Sequence, residues 1–179
     1  DHGLSEAVRS RIDEPFDVAK PLGEDFSHGV VNAGIGLSAD GLVLVFASGR
    51  LGGPGEPGNM NLWQATRADL STPCSKPVCL TTLNTEGNDE HPWLSADGLT
   101  IRFQSSRLGG HHWMSQRASR DAEFAAPTQV EYPLFPGVAN YSGIAGHTLS
   151  SDERVLIFAP GYHDHETNRE VLKLLMSVR

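Results

Sequence analysis

The amino-acid sequence predicts an all-β protein built from about three copies of one four-stranded sheet, and three observations predict it. A hexapeptide starting at Leu37 returns twice along the chain. The residues after each copy are apolar at every second position, and glycine (19) and proline (11) together make up about one residue in six, above the usual ~12%. Turn-forming residues at that density cut a chain into many short strands.

The first of these observations carries the most. Leu37-Ser38-Ala39-Asp40-Gly41-Leu42 recurs 57 residues later as Leu94-Ser95-Ala96-Asp97-Gly98-Leu99, and 55 further on in weakened form as Leu149-Ser150-Ser151-Asp152-Glu153-Arg154. The likeness continues downstream: Phe46 through Gly53 matches Phe103 through Gly110, and Trp63 with Arg67 matches Trp113 with Arg117. At the start, Leu4 to Arg9 aligns with Leu62 to Arg67 at an offset of 58, with Pro15 and Leu22 falling on Pro73 and Leu80. At the end, Leu174 to Arg179 falls on the same segment at an offset of 112. The single domain of 179 residues therefore divides into a half-sheet at 1–29 and repeats at about 30–81, 88–131 and 142–179.

Each element of a repeat has a physical reason. Leu44, Ile101 and Leu156 are equivalent, as are Phe46, Phe103 and Phe158, while the residue between is Val45, Arg102 or Ile157. One face is always apolar, the mark of a strand in a layered core. Asp40-Gly41 and Asp97-Gly98 stand just before those strands, where glycine supplies a positive φ and aspartate bonds nearby N–H groups in a hairpin turn. Glu153 replaces the glycine in the third copy, so a different turn, or strain of about 1–2 kcal/mol, is expected there. Arg-Leu-Gly-Gly then makes a connection to the strand of Trp63 or Trp113, and a last short strand lies near Pro77 to Leu80. Four strands in about 55 residues is the size of one propeller blade. From His163 to Arg179, Val171, Leu174, Leu175 and Val178 share a helical face, but the repeat alignment places strands there, with Leu172, Leu174, Met176 and Val178 alternating.

The Leu-Ser-x-Asp-Gly turn, the Phe strand, the Ser-x-Arg-x-Gly-Gly loop and the Trp strand together resemble the WD-like repeats of TolB-type β-propellers, over nearly the whole chain. The resemblance implies closed rings of six or more blades, often exported in bacteria, that serve as rigid interaction platforms or auxiliary domains. It supplies no catalytic residue. Three repeats are about half such a ring, and an open stack leaves blade faces uncovered. A segment of a larger propeller is expected, completed by further chain, by a partner or by self-association.

Several function classes are excluded by charge and pattern. Lysine and arginine (14) are outnumbered by aspartate and glutamate (22), a net charge of −8, so no basic field exists to hold nucleic acid. The longest apolar run, Leu42 to Ala47, is far short of the ~20 residues of a membrane-spanning helix. The numbered chain begins at Asp1 with neither Met nor a charged-then-apolar leader, as a mature form or a fragment would. No Gly-x-Ser-x-Gly elbow is present, Gly34-Ile35-Gly36 lacks the third glycine of a phosphate cradle, and Ser95 to Thr100 departs from a sialidase Asp box in spacing and in its missing aromatic.

Residues found in several copies serve what every blade needs, whereas a ligand site occurs once and breaks the repeat. Arg50 and Arg107 are thus expected to bridge carbonyls or a carboxylate beside the loop, and Trp63 and Trp113 to pack in the core. Three polar clusters are not repeated. Asp89-Glu90-His91 precedes the second Asp-Gly hairpin, on the strand that is innermost in TolB-like blades, and is the candidate ligand site. His163, His165 and Glu166 have the His-x-His spacing that puts both imidazoles on one strand face, a weak candidate for a divalent ion against the alternative of a solvated loop. His111 and His112 point to opposite faces of an extended chain and make poor joint ligands. Cys74 and Cys79 form a disulfide if the chain between them turns back, worth ~2 kcal/mol for so short a loop, and are otherwise two quiet thiols; no second Cys or His pair at zinc spacing accompanies them. A disulfide would place the protein in a periplasmic or extracellular compartment.

The function expected is a non-enzymatic scaffold, without cofactor, that grips a protein, peptide or cell-envelope component through its loops or channel mouth. The alternative is the substrate-binding part of a larger glycan- or peptide-active hydrolase whose catalytic residues lie outside this chain.

Overall fold

The computed structural model describes residues 3–27, 32–109, 111–130, 141–150, 154–164, 169–172 and 175–178. Short strands β1 (Ser5–Glu6) and β2 (Lys20–Pro21) open the chain. A four-stranded sheet follows, of β3 (Asn32–Leu37), β4 (Val43–Ser48), β5 (Asn61–Thr66) and β6 (Val78–Cys79). The next comprises β7 (Asp89–Leu94), β8 (Thr100–Ser105), β9 (His111–Gln116) and β10 (Thr128–Val130). The last comprises β11 (Tyr141–Leu149), β12 (Val155–Asp164), β13 (Arg169–Leu172) and β14 (Leu175–Val178). All strand pairings are antiparallel, and β13 and β14 lie one after the other along the same edge of β12, in one register.

Registers repeat as the sequence does. Phe46 pairs with Trp63, Phe103 with Trp113 and Phe158 with Leu175. Ser5 opposite Pro21 and Glu6 opposite Lys20 reproduce, 58 residues earlier, Trp63 opposite Cys79 and Gln64 opposite Val78. The described residues of the C-terminal segment are strand, not helix, and the third sheet departs from its siblings. Its β12 runs ten residues where β4 and β8 run six, pairing with β14 along its first half and β13 along its second. The turn at Glu153 lies outside the described residues.

The repeated hexapeptide forms one hydrogen-bonded turn. Ser38 Oγ donates to Asp40 Oδ1 (2.7 Å) and accepts from Val43 N (2.9 Å), while Leu42 N donates to the same carboxylate (3.1 Å) and Gly41 sits at φ +72°. Ser95, Asp97, Thr100 and Gly98 (φ +77°) repeat this at 2.6 and 2.8 Å, and Val155 N donates to Ser150 Oγ at 3.0 Å. The serine thus explains the motif as much as Asp-Gly does, because its hydroxyl ties the turn to the next strand.

Sheets pack face to face. Val43, Val45 and Ala47 meet Leu94, Ile101, Phe103 and Trp113 between the first two four-stranded sheets. Leu44 and Phe46, on the other face of β4, meet Leu4 and Phe26 of the opening segment. Every β4 residue is buried, so Val45, on the face expected to vary, lies as deep as Phe46. A strand between two layers must be apolar on both faces. Each fully buried Phe contributes roughly 1.5–3 kcal/mol.

Candidate functional site

The first strands of the three sheets lie side by side, with β7 packed against β3 and β11. Each of these strands is interrupted by a bulge. In β3 the register slips between Ala33 and Ile35, in β7 between Glu90 and Trp93, and in β11 between Ile144 and His147. At the repeat offsets of 57 and 55 the bulged positions are Gly34, His91 and Gly146. Gly34 sits at φ +58° and His91 at φ +51°, the left-handed region that glycine enters freely and a residue with a Cβ does not. The two touch: a Cβ on Gly34 would lie 2.9 Å from His91 Cα.

The three candidate residues beside this bulge are not brought to one surface. Asp89 is fully buried, and its carboxylate accepts from Thr85 N (2.6 Å), Thr85 Oγ1 (2.9 Å) and Arg107 Nη2 (2.9 Å). Arg107 also donates to the Leu83 carbonyl and to Ser105 Oγ (2.7 Å), and its guanidinium lies over Phe103 and Trp113. Arg50 repeats the arrangement, donating to the Asp25 carbonyl (2.8 Å), Asn32 Oδ1 (3.3 Å) and Ser48 Oγ (3.2 Å) above Phe46 and Trp63. Asp89 is the counterpart of Asn32 in a unit that both sheets share. A saturated carboxylate with no exposed surface has nothing left for a ligand. The candidate site therefore contracts to Glu90 and His91, with side chains 30% and 34% exposed and Glu90 Oε2 3.7 Å from His91 Nδ1. That Nδ1 is buried and has no hydrogen-bond partner.

The His163 cluster lies only in part within the described residues. His163 is on β12 opposite Glu170, whereas His165 and Glu166 lie outside the described residues. Among the described residues no three His, Cys, Asp or Glu side chains gather as metal ligands would. His112 is buried on β9, opposite Gln104.

Cys74 and Cys79 are free thiols, and the chain between them does not turn back. Ser75 N donates to the Thr66 carbonyl, Val78 pairs with Gln64 and Cys79 with Trp63, so the segment runs along β5. Ser75 beside Thr66 and Cys79 opposite Trp63 stand three β5 residues apart, ~10 Å, with Cys74 before Ser75, against the ~7 Å limit between disulfide Cα atoms. Both thiols pack on the Phe46–Trp63 cluster, and burial pushes their pKa values up, away from the reactive thiolate.

The bulge was legible. Aligning Gly34, His91 and Gly146 at the spacing of the hexapeptides shows a histidine where the other copies have glycine. Reading Asp89-Glu90-His91 as one polar run hides it, because Asp89 is buried against Arg107 while Glu90 and His91 are partly exposed.

No protein-family model and no curated protein sequence matches the chain. Solved structures do. It is similar to TolB from Acinetobacter baumannii (18% identity, TM-score 0.53), covering 87% of this chain and 34% of that one. It is also similar to a protein described as a putative TolB from Agrobacterium tumefaciens (14% identity, TM-score 0.51), covering 90% of this chain and 54% of that one. The chain thus spans about a third and about half of these proteins. Among the described residues no helix is long and apolar enough to cross a membrane. With its consecutive four-stranded antiparallel sheets, the chain has the fold of part of a TolB-like β-propeller.

Proposed function

We propose that the protein is a non-enzymatic propeller scaffold in an exported or cell-envelope compartment, and that it holds a protein or peptide partner at the innermost strands, with His91 and Glu90 at the contact. One observation carries this reading: His91 occupies a left-handed bulge where Gly34 and Gly146 stand in the other repeats. A side chain there costs about 1–2 kcal/mol, and strain that glycine would relieve is kept where the side chain is used. The partly exposed Glu90 and His91 side chains supply polar groups for that contact.

His91→Gly tests it directly. The variant is expected to melt higher than the parent while losing partners captured by crosslinking from a bacterial envelope extract. A variant that melts lower, or captures the same partners in the same amount, refutes the reading.

A further inference from the structure

We infer that the cleft between the first two four-stranded sheets binds a carboxylate group, with Arg117 as its buried counter-charge. Two repeats differ at one atom set. Arg67 and Arg117 are equivalent, and each donates Nε to the carbonyl of its turn glycine, Gly41 at 2.8 Å and Gly98 at 2.9 Å. Arg67 Nη1 then meets the carboxylate of Glu6 at 2.9 Å. Arg117 Nη1 meets, at the same 2.9 Å, the neutral amide oxygen of Gln64. Glu6 and Gln64 are themselves equivalent at the offset of 58, so the repeat has exchanged a counter-ion for its uncharged isostere.

The environment makes the exchange consequential. Arg117 is only 7% exposed, its Nη2 has no hydrogen-bond partner, and its guanidinium lies 4.4 Å above the Phe124 ring. Its sister at the same depth carries an ion pair. A guanidinium withdrawn from water with no carboxylate bonded to it, and only the exposed Asp121 acting at longer range, is costly to bury, and an external carboxylate lowers that cost. A cavity of about 170 Å³ opens beside it, lined by Gln64, Thr81, Thr82, Arg117, Arg120 and Phe124 among others. That is room for ~5 waters, or for a small carboxylate with its first substituent. The threonine hydroxyls add donors suited to an anion. Asp121 and Glu123 line the cavity too, but both are exposed, and water screens their charge as it does not screen Arg117. Arg120 is held by Asp40 at 2.6 Å and contributes field rather than a free donor.

The occupant is a monocarboxylate, either a free small acid or the C-terminus of a peptide. Sodium acetate, N-acetyl-trialanine and N-acetyl-trialanine amide are titrated into the ¹⁵N-labelled protein, following the arginine Nε–Hε signals. Saturable shifts of the Arg117 signal are expected with one or both carboxylates and none with the amide; acetate alone assigns a free acid, the peptide alone a chain terminus. Gln64→Glu, which restores the counter-ion Arg67 has, is expected to fold and to weaken carboxylate binding at least tenfold. Equal response to the amide, or unchanged affinity in Gln64→Glu, overturns the proposal. Because neither readout involves His91, its failure is distinct from failure of the inner-strand reading.

Discussion

Replacing Asp89 with alanine is expected to be among the most damaging polar substitutions in this protein. The carboxylate is fully buried and satisfies Thr85 N, Thr85 Oγ1 and Arg107 Nη2. Alanine removes all three bonds and leaves a guanidinium only 17% exposed with the Leu83 carbonyl and Ser105 as its remaining partners. Breaking a buried ion pair from one side costs about 3–5 kcal/mol, and the stranded Thr85 N–H falls within the same loss. The other sheet supplies the control. Asn32 occupies the equivalent place against Arg50, so Asp89→Asn keeps one acceptor of matching shape and is expected to cost only about 1–2 kcal/mol. Urea unfolding resolves the two: with m near ~2 kcal/mol/M, alanine shifts the midpoint down by about 2 M and asparagine by less than about 1 M. An alanine shift under about 0.5 M, or equal shifts for both variants, would show that the Arg107–Asp89 unit does not hold the sheet as described.

Other outcomes follow from the same geometry. Phe103→Ala is expected to cost about 3–5 kcal/mol in the same assay, since its fully buried ring fills the contact between two sheets. Gly34→Ala forces a Cβ to 2.9 Å from His91 Cα at φ +58°, so its melting temperature should fall while that of His91→Gly rises. The Asp40 carboxyl is held down at about 2 by the Ser38 hydroxyl first and the Arg120 guanidinium second. A carboxyl lowered by folding stabilises above its unfolded pKa of 3.8, and that contribution fades as pH falls from about 4 through about 2. Melting curves of the parent and Asp40→Asn should therefore differ at pH 5 and converge near pH 2, and curves that stay parallel would contradict the assignment.

How much of this was legible in the sequence differs by level. Strand pairing was, because the Phe46, Phe103 and Phe158 positions recur with the turns that set their register, and register in a hairpin follows from the turn. The structural role of Arg50 and Arg107 was legible too, from their repetition. The burial of Asp89 was not, since Asn32 in the sister repeat conceals that each is the partner of its own sheet's arginine. Nor was the separation of Cys74 from Cys79, which depends on whether five residues turn or run straight along β5.

By itself the sequence determined the unit: a serine-tied Asp-Gly turn, a buried phenylalanine strand and a tryptophan strand, all set by contacts within about thirty residues of chain. Only the tertiary structure decided what each unit faces. Val45 is core because a second sheet covers it, and the bulge of His91 lies against that of Gly34 because the two strands pack together. Arg117 bonds an amide where Arg67 bonds a carboxylate because the residue delivered to it from the preceding sheet is Gln64. Such relations join residues far apart in the chain, and local pattern carries no record of which layers will meet.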